Sequence, residues 1–298
     1  MRRILILTII IPFASCNIKN NSASNVSTID STLQIKIDSI LQNRLLDLDA
    51  TSGQVIVMEV QTGKIKASAG TEIKPQESGL IRTALLLAAL ETKAVQLSDT
   101  IDVGNGVLII GKDTLLDYNW YKGGYGKITI QQGFGLSSNI ANYKTAKHTF
   151  KGAQTFAKAL AKFGYQVKDT SLVYNPSGYG VFTTPLQNLT FYNAIAQGTI
   201  DDKVAVNNIK QALEYTVTDG LAKPAISDKV KIAGATGTIQ LPNGEYAVEF
   251  CGYFPANNPQ YSVIVSINKK DKPASGGLMA GTVFKQIAEF LMAKNDKK

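Results

Sequence analysis

The stretch 77–90, Glu-Ser-Gly-Leu-Ile-Arg-Thr-Ala-Leu-Leu-Leu-Ala-Ala-Leu, constrains the fold of this chain more than any other segment. From Leu80 onward it is built of strong helix formers and is apolar on every side except at Arg82 and Thr83. A surface helix keeps a polar stripe toward water, so a helix apolar all round must be enclosed by other elements or by lipid, and about three turns are too short to cross a bilayer. The pattern predicts a helix inside a core. Ser78 suits its N-cap, Gly79 follows, and Arg82 is its only cation.

A core able to enclose that helix needs a chain of this size: 298 residues, 44% apolar and 18% charged. After a short leader this is enough for one domain of roughly 265 residues. The net charge is +8; Arg2 and Arg3 belong to the leader, and without those two the balance is +6. The lysines are scattered, whereas phosphate readers gather cations on one face, so a solvated basic surface is read here and nucleic acid is not expected as a partner. Attraction to an anionic envelope surface fits the same charge.

The leader sets the compartment. Met1-Arg2-Arg3, the apolar run 4–13 and Ala14-Ser15-Cys16 have the basic start, short hydrophobic core and small-residue end of an export signal. The small pair followed at once by cysteine resembles a bacterial lipoprotein signal, which makes Cys16 the lipidated first residue and the membrane a partner; the alternative is a plain signal peptide with an incidental cysteine. The other cysteine, Cys251, then has no intramolecular partner. Residues 17–28 are rich in Asn and Ser and read as a flexible tether. The expected organisation is a signal peptide at 1–15, a lipid-anchored tether at 16–28 and a folded domain at 29–298.

Within the domain the hydrophobic period alternates between helical and strand spacing. Leu33, Ile37, Ile40, Leu41, Leu45 and Leu48 fall at helical spacing after Ile29. The run 54–60, a turn at 61–64 and the return 65–69 form a hairpin. The middle third is mostly helix and loop, with a helix over 141–147. Strands are predicted at 230–240, 246–254 and 261–268, and a last helix at 283–293. Strands at both ends with helices between them imply an antiparallel sheet assembled from the first and last thirds, with a helical insertion.

Several strings, in order, resemble a family. Thr28-Ile29-Asp30 with Leu33-Gln34, the hairpin Val57-Met58-Glu59-Val60-Gln61-Thr62-Gly63-Lys64-Ile65, Gly123-Gly124-Tyr125-Gly126 leading to Ser137-Ser138-Asn139, Gly178-Tyr179-Gly180 before Thr184-Pro185-Leu186-Gln187, Val230-Lys231-Ile232-Ala233-Gly234 before Thr236-Gly237-Thr238, and Cys251-Gly252-Tyr253-Phe254-Pro255 are similar to landmarks of the transpeptidase domain of class B penicillin-binding proteins. The resemblance spans about 28–289. It implies the α/β (α+β) fold of the serine β-lactamase and penicillin-binding superfamily, a five-stranded antiparallel sheet flanked by helices.

The family's reaction is acyl transfer: a serine hydroxyl attacks a D-alanyl peptide or penicillin carbonyl beside a general base. A Ser-x-x-Lys pair supplies both from the first turn of the buried helix. Here those positions are Gly79, which has no nucleophile, and Arg82, which stays protonated. At the Lys-Thr-Gly motif the lysine position is Ala235. Ser137, Asn139, Thr236, Gly237 and Thr238 survive, and the oxyanion hole expected from the resemblance uses the backbone amides of Gly79 and Thr238, which exist whatever the side chains are. Ser78 is aimed about 100° away around the helix with Ile81, not a base, three residues on. Ser266 and Lys269 belong to a strand where three-residue spacing sends them to opposite faces. His148 reads as an exposed helix residue. A single histidine and the lack of clustered cysteines or paired acidic triplets give no metal site, and no cofactor is expected.

The resulting expectation is an envelope lipoprotein with a transpeptidase-like domain that has lost covalent chemistry. Its vestigial groove, formed by Gly79, Arg82, Ser137, Asn139, Ala235, Thr236, Gly237 and Thr238, binds a peptidoglycan stem peptide or a β-lactam non-covalently. The alternatives are a scaffold that contacts an envelope protein partner through its outer surface, and, last, an active DD-transpeptidase or carboxypeptidase with a non-standard nucleophile. Removing a catalytic nucleophile costs a hydrolase about 10⁶ in kcat, which sets the scale of the loss.

Overall fold

A computed structural model describes residues 29–168 and 171–295, so the leader, the tether and Cys16 lie outside the described residues. The first helix, Ser31–Asp47, is capped by Asp30, whose Oδ1 accepts from the Leu33 amide at 3.0 Å. It lays Leu33, Ile37, Ile40 and Leu41 on the core, the helical spacing expected of it. The last helix, Thr282–Asn295, runs beside it, and Lys294 Nζ reaches Asp30 Oδ2 at 2.6 Å.

The sheet has five antiparallel strands in the order Ala233–Gln240, Tyr246–Phe254, Tyr261–Lys269, Ala50–Glu59, Ile65–Gly70. The first and last thirds of the chain therefore meet at the Ala50–Glu59 and Tyr261–Lys269 pair, in register at Val57 and Val263. Side chains alternate across it. Val55, Val57, Val263 and Val265 face the two terminal helices, and Ile56, Met58 and Ile264 face the helical insertion. Burial on both faces explains strands that read as continuous apolar runs rather than as alternation. At the far edge, Gln34 bonds both the carbonyl and the amide of Ser68, at 2.7 and 2.9 Å, and so covers part of the Ile65–Gly70 strand.

The stretch 77–90 begins differently from a single helix. Gln76–Glu77 pairs as a short strand, Gly79–Ile81 forms a 3₁₀ turn, and the α-helix runs Arg82–Glu91. Every helix residue from Arg82 to Leu90 is buried, as its all-round apolarity requires. The C-terminal strand starts at Ala233 rather than Val230, and the middle helix covers Asn139–Thr149 rather than only 141–147. The insertion also holds β-structure that the helix-and-loop reading missed: Thr100–Gly104 pairs with Gly126–Thr129, and Val107–Ile110 with Asp113–Leu116. No helix among the described residues is long and apolar enough to cross a membrane.

Candidate functional site

The start of the buried helix, the Ser137–Asn139 turn and the edge strand Ala233–Gln240 converge on a cleft of about 590 Å³. Arg82, Ser137, Asn139, Thr236 and Thr238 line it. Gly79, Ala235 and Gly237 do not; they are buried behind it. The structure thus brings the eight sequence-predicted positions together but exposes only five of them to a ligand.

Arg82 projects from the first turn of its helix and is only 8% exposed. One terminal nitrogen, Nη1, donates to Ser137 Oγ, and the other, Nη2, donates to Asn139 Oδ1 at 3.0 Å. Its Nε has no hydrogen-bond partner, and no carboxylate lies within ion-pair distance of it among the described residues. Burial lowers its pKa to about 10, so it stays cationic at neutral pH. A guanidinium that keeps its proton cannot act as a general base.

The turn that receives Arg82 is held from the other side. Ser137 adopts a left-handed φ of 56°, a conformation that a non-glycine residue keeps only where its surroundings impose it. Ser138 caps the Asn139–Thr149 helix, accepting from the Ala141 amide at 3.0 Å, and donates to Asp117 Oδ2 at 2.8 Å. Asp117, 1% exposed, also accepts from the Ile140 amide at 3.1 Å. Burial raises its pKa, and these hydrogen bonds and the nearby Arg82 charge oppose that rise. Asn139 donates to the Leu116 carbonyl at 2.7 Å, which fixes its amide with the oxygen toward Arg82.

Gly79 is packed rather than empty. A Cβ built there would lie 3.1 Å from both the Gly237 Cα and the Thr238 nitrogen, tighter than ordinary van der Waals contact. The strand Ala233–Gln240 packs against the place where a side chain at 79 would begin. Ser78 is fully buried and does not reach the cleft: its hydroxyl donates to Glu249 Oε2 at 2.5 Å and accepts from Asn188 Nδ2 at 3.2 Å. Gly178 at φ 109° lets the Gly178-Tyr179-Gly180 turn approach this start, since a Cβ there would lie 2.3 Å from the Ser78 carbonyl. Glu77, next to Ser78, accepts from the Gly180 amide at 2.7 Å instead of pairing with Arg82.

On the opposite wall, Thr238 Oγ1 accepts from the Gly276 amide at 2.9 Å, which leaves the hydroxyl proton free to donate into the cleft. Ser266 is buried and donates to Glu249 Oε1 at 3.1 Å, while Lys269 bonds the Asp271 carbonyl, so the Ser266–Lys269 spacing makes no dyad. His148 is exposed on its helix.

Sequence reasoning missed two kinds of residue. Glu249 was invisible because nothing in an apolar strand says which neighbours a buried acid will find. The loop Asp117 to Tyr121 and the lip at Lys272 to Gly277, which complete the cleft, carry no motif. Only the density of aromatics around Tyr118, Trp120 and Tyr121 signals them.

Residues 53–289 match the family described as "Penicillin binding protein transpeptidase domain". The chain is 21% identical to "Penicillin-binding protein PbpB" of Mycolicibacterium smegmatis, an alignment that covers 90% of this chain and 54% of that protein, so the chain spans about half the length of this curated relative. Among solved structures it superposes on a peptidoglycan glycosyltransferase from Burkholderia ambifaria with a TM-score of 0.78, at 21% identity and covering 90% of this chain and 97% of that one. It superposes equally, TM-score 0.78, on the apo transpeptidase domain of penicillin-binding protein 3 from Burkholderia pseudomallei, at 20% identity, 90% of this chain and 96% of that one. At such identities the likeness establishes the fold. With the family matched over most of the chain, this protein belongs to the penicillin-binding protein transpeptidase-domain family.

Proposed function

We propose that this chain is an exported, lipid-anchored envelope protein whose transpeptidase-like domain binds the carboxylate end of a peptidoglycan stem peptide without acyl transfer. The observation that carries the reading is Arg82: a buried guanidinium, with no acidic partner among the described residues, on the wall of an open cleft. Asp117 acts on this cation only from beyond ion-pair distance, so its burial is incompletely compensated, and an anion that enters from the cleft relieves the remaining cost. Thr238, with its free hydroxyl proton, and Thr236 on the facing strand offer further donors.

The same groups argue against chemistry. A nucleophile is missing at Gly79, Arg82 cannot act as base, and Ala235 supplies no ammonium. A β-lactam, which also bears a carboxylate, is then a non-covalent ligand. Beyond Asn139 a second cleft of about 650 Å³, which shares Leu116 and Asn139 with the first, offers room for the chain of a longer peptide.

The test has two arms. Incubation with labelled penicillin followed by intact mass is expected to show no adduct, and a stoichiometric mass increase would overturn the loss of chemistry. Titration with a peptide ending in D-alanyl-D-alanine is expected to saturate; no response at millimolar peptide would leave only the scaffold reading. A Cys16→Ser form that still partitions with membranes would overturn the lipid anchor.

A further inference from the structure

The mouth of the Arg82 cleft is wider than a terminal carboxylate needs, and one of its walls is aromatic. Tyr118, Trp120 and Tyr121 line the same cavity as Arg82 and remain 70%, 49% and 58% exposed. Three large rings within four residues, left in water, form an apolar surface that folding alone gives no reason to keep. Their loop is built, not loose. Asp117 anchors one end through Ser138 and the Ile140 amide, the Asp117 amide bonds the Gly106 carbonyl at 2.9 Å, the Trp120 amide bonds the Asp117 carbonyl at 3.1 Å, and the Gly123 amide bonds the Trp120 carbonyl at 3.2 Å.

The ring geometry narrows the chemistry. Tyr121 stands edge-on to both neighbours, at 82° and 6.4 Å to Tyr118 and at 83° and 6.3 Å to Trp120, so the trio presents a corner with ring faces in two directions rather than a flat apolar plate. Lys122 Nζ already lies 5.5 Å from the Tyr121 centroid, which disfavours a second cation there. Lys272 and Ser275 line the same cavity, and this polar lining disfavours a lipid chain. A concave wall continuous with an anion site suits a ligand with a ring attached to its acidic part, rather than the flat surface of a folded protein.

Resting on the stem-peptide reading of the cleft, we propose that Tyr118, Trp120 and Tyr121 form a carbohydrate subsite, which stacks an amino-sugar ring of a glycopeptide whose carboxylate lies at Arg82. The C–H face of a pyranose meets the electron-rich face of an aromatic ring, and its hydroxyl and acetamido groups meet the polar rim. The ligand is then the sugar-bearing peptide, and the free peptide fills only part of the cleft.

Trp120 is the only tryptophan in the chain, so its fluorescence reports this corner alone. The full chain is titrated with an N-acetylglucosaminyl-N-acetylmuramyl pentapeptide and, separately, with the same pentapeptide lacking sugars, with calorimetry and tryptophan emission read in parallel. The expected result is affinity at least tenfold higher for the glycopeptide, a saturable emission change with it alone, and a ratio of the two affinities that falls to about one in Trp120→Ala, whose melting temperature shows it to be folded. Equal affinities with unmoved emission would overturn the carbohydrate subsite and leave the peptide reading standing. Binding of neither compound would overturn both. An emission change that follows protein concentration without ligand would overturn the subsite in favour of contact between copies of the chain.

Discussion

Two buried charged side chains flank Gly79, and they meet burial in opposite ways. Glu249, on the strand Tyr246–Phe254, is 2% exposed, and its two oxygens accept from the Ser78 and Ser266 hydroxyls, with no ion pair to it among the described residues. Burial raises its pKa to about 7, against the pull of those two hydroxyls, so near neutral pH about half of it is uncharged. Arg82 has no such exit. A guanidinium keeps its proton, and even with its pKa lowered to about 10 it is a cation at every physiological pH. An acid can hide inside a core by taking up a proton, whereas an arginine must keep contact with something polar or anionic. That difference is why the Glu249 side is a sealed part of the core and the Arg82 side opens on a cleft.

The comparison breaks most visibly at Arg82. Arg82→Ala is expected to weaken the binding of a D-alanyl-terminated peptide by at least a hundredfold, about 3 kcal/mol, measured by titration calorimetry. Unchanged affinity would mean the cleft does not use its cation. At Glu249 the effect is on stability. Its folded pKa of about 7 lies above the 4.5 of an ordinary glutamate, so its contribution is fully present below about pH 4.5 and is lost as pH rises through 7. The loss amounts to about 3 kcal/mol by pH 8. Denaturant unfolding across that window should show the fall in the native protein and a flatter profile in Glu249→Gln, which is expected to match it at pH 4.5 and to be the more stable at pH 8.

Gly79 lies between the two. Gly79→Ser pushes a Cβ against Gly237 and Thr238 and is expected to lose about 1–3 kcal/mol by urea unfolding. Combined with Arg82→Lys and Ala235→Lys it asks whether the site is merely vestigial. The tight packing at Gly79 predicts no penicillin adduct by mass, and acquired acylation would show that the rest of the machinery is intact. The smallest effect belongs to the acid's second hydroxyl: Ser266→Ala is expected to lose about 1 kcal/mol and to move the Glu249 transition to still higher pH, read from the same unfolding series.

Much of this architecture is legible in the chain. The first helix could be read because Leu33, Ile37, Ile40 and Leu41 repeat at 3.6, and its Asp30 cap is the next residue out. The buried helix could be read because only enclosure tolerates leucines on every side. Its first turn is not legible in the same way: Gly79–Ile81 is 3₁₀ rather than regular helix, where the strand Ala233–Gln240 and the Gly178 turn pack closely on it. The hairpin Val107–Ile110 with Asp113–Leu116 escaped notice because strands of four residues carry too little periodicity to stand out.

Read alone, the chain carries the strings that match its family and shows which residue types stand at 79, 82 and 235, since identity at a position needs no coordinates. Three-dimensional packing supplies the rest: that Arg82 bonds Ser137 and Asn139 rather than Glu77, that Ser78 serves a buried acid 171 residues away, and that three aromatic rings stand at the mouth of the same cleft. Local periodicity tells which face of an element is apolar. Which faces meet, and what a buried charge finds when they do, depends on contacts between segments far apart in the chain.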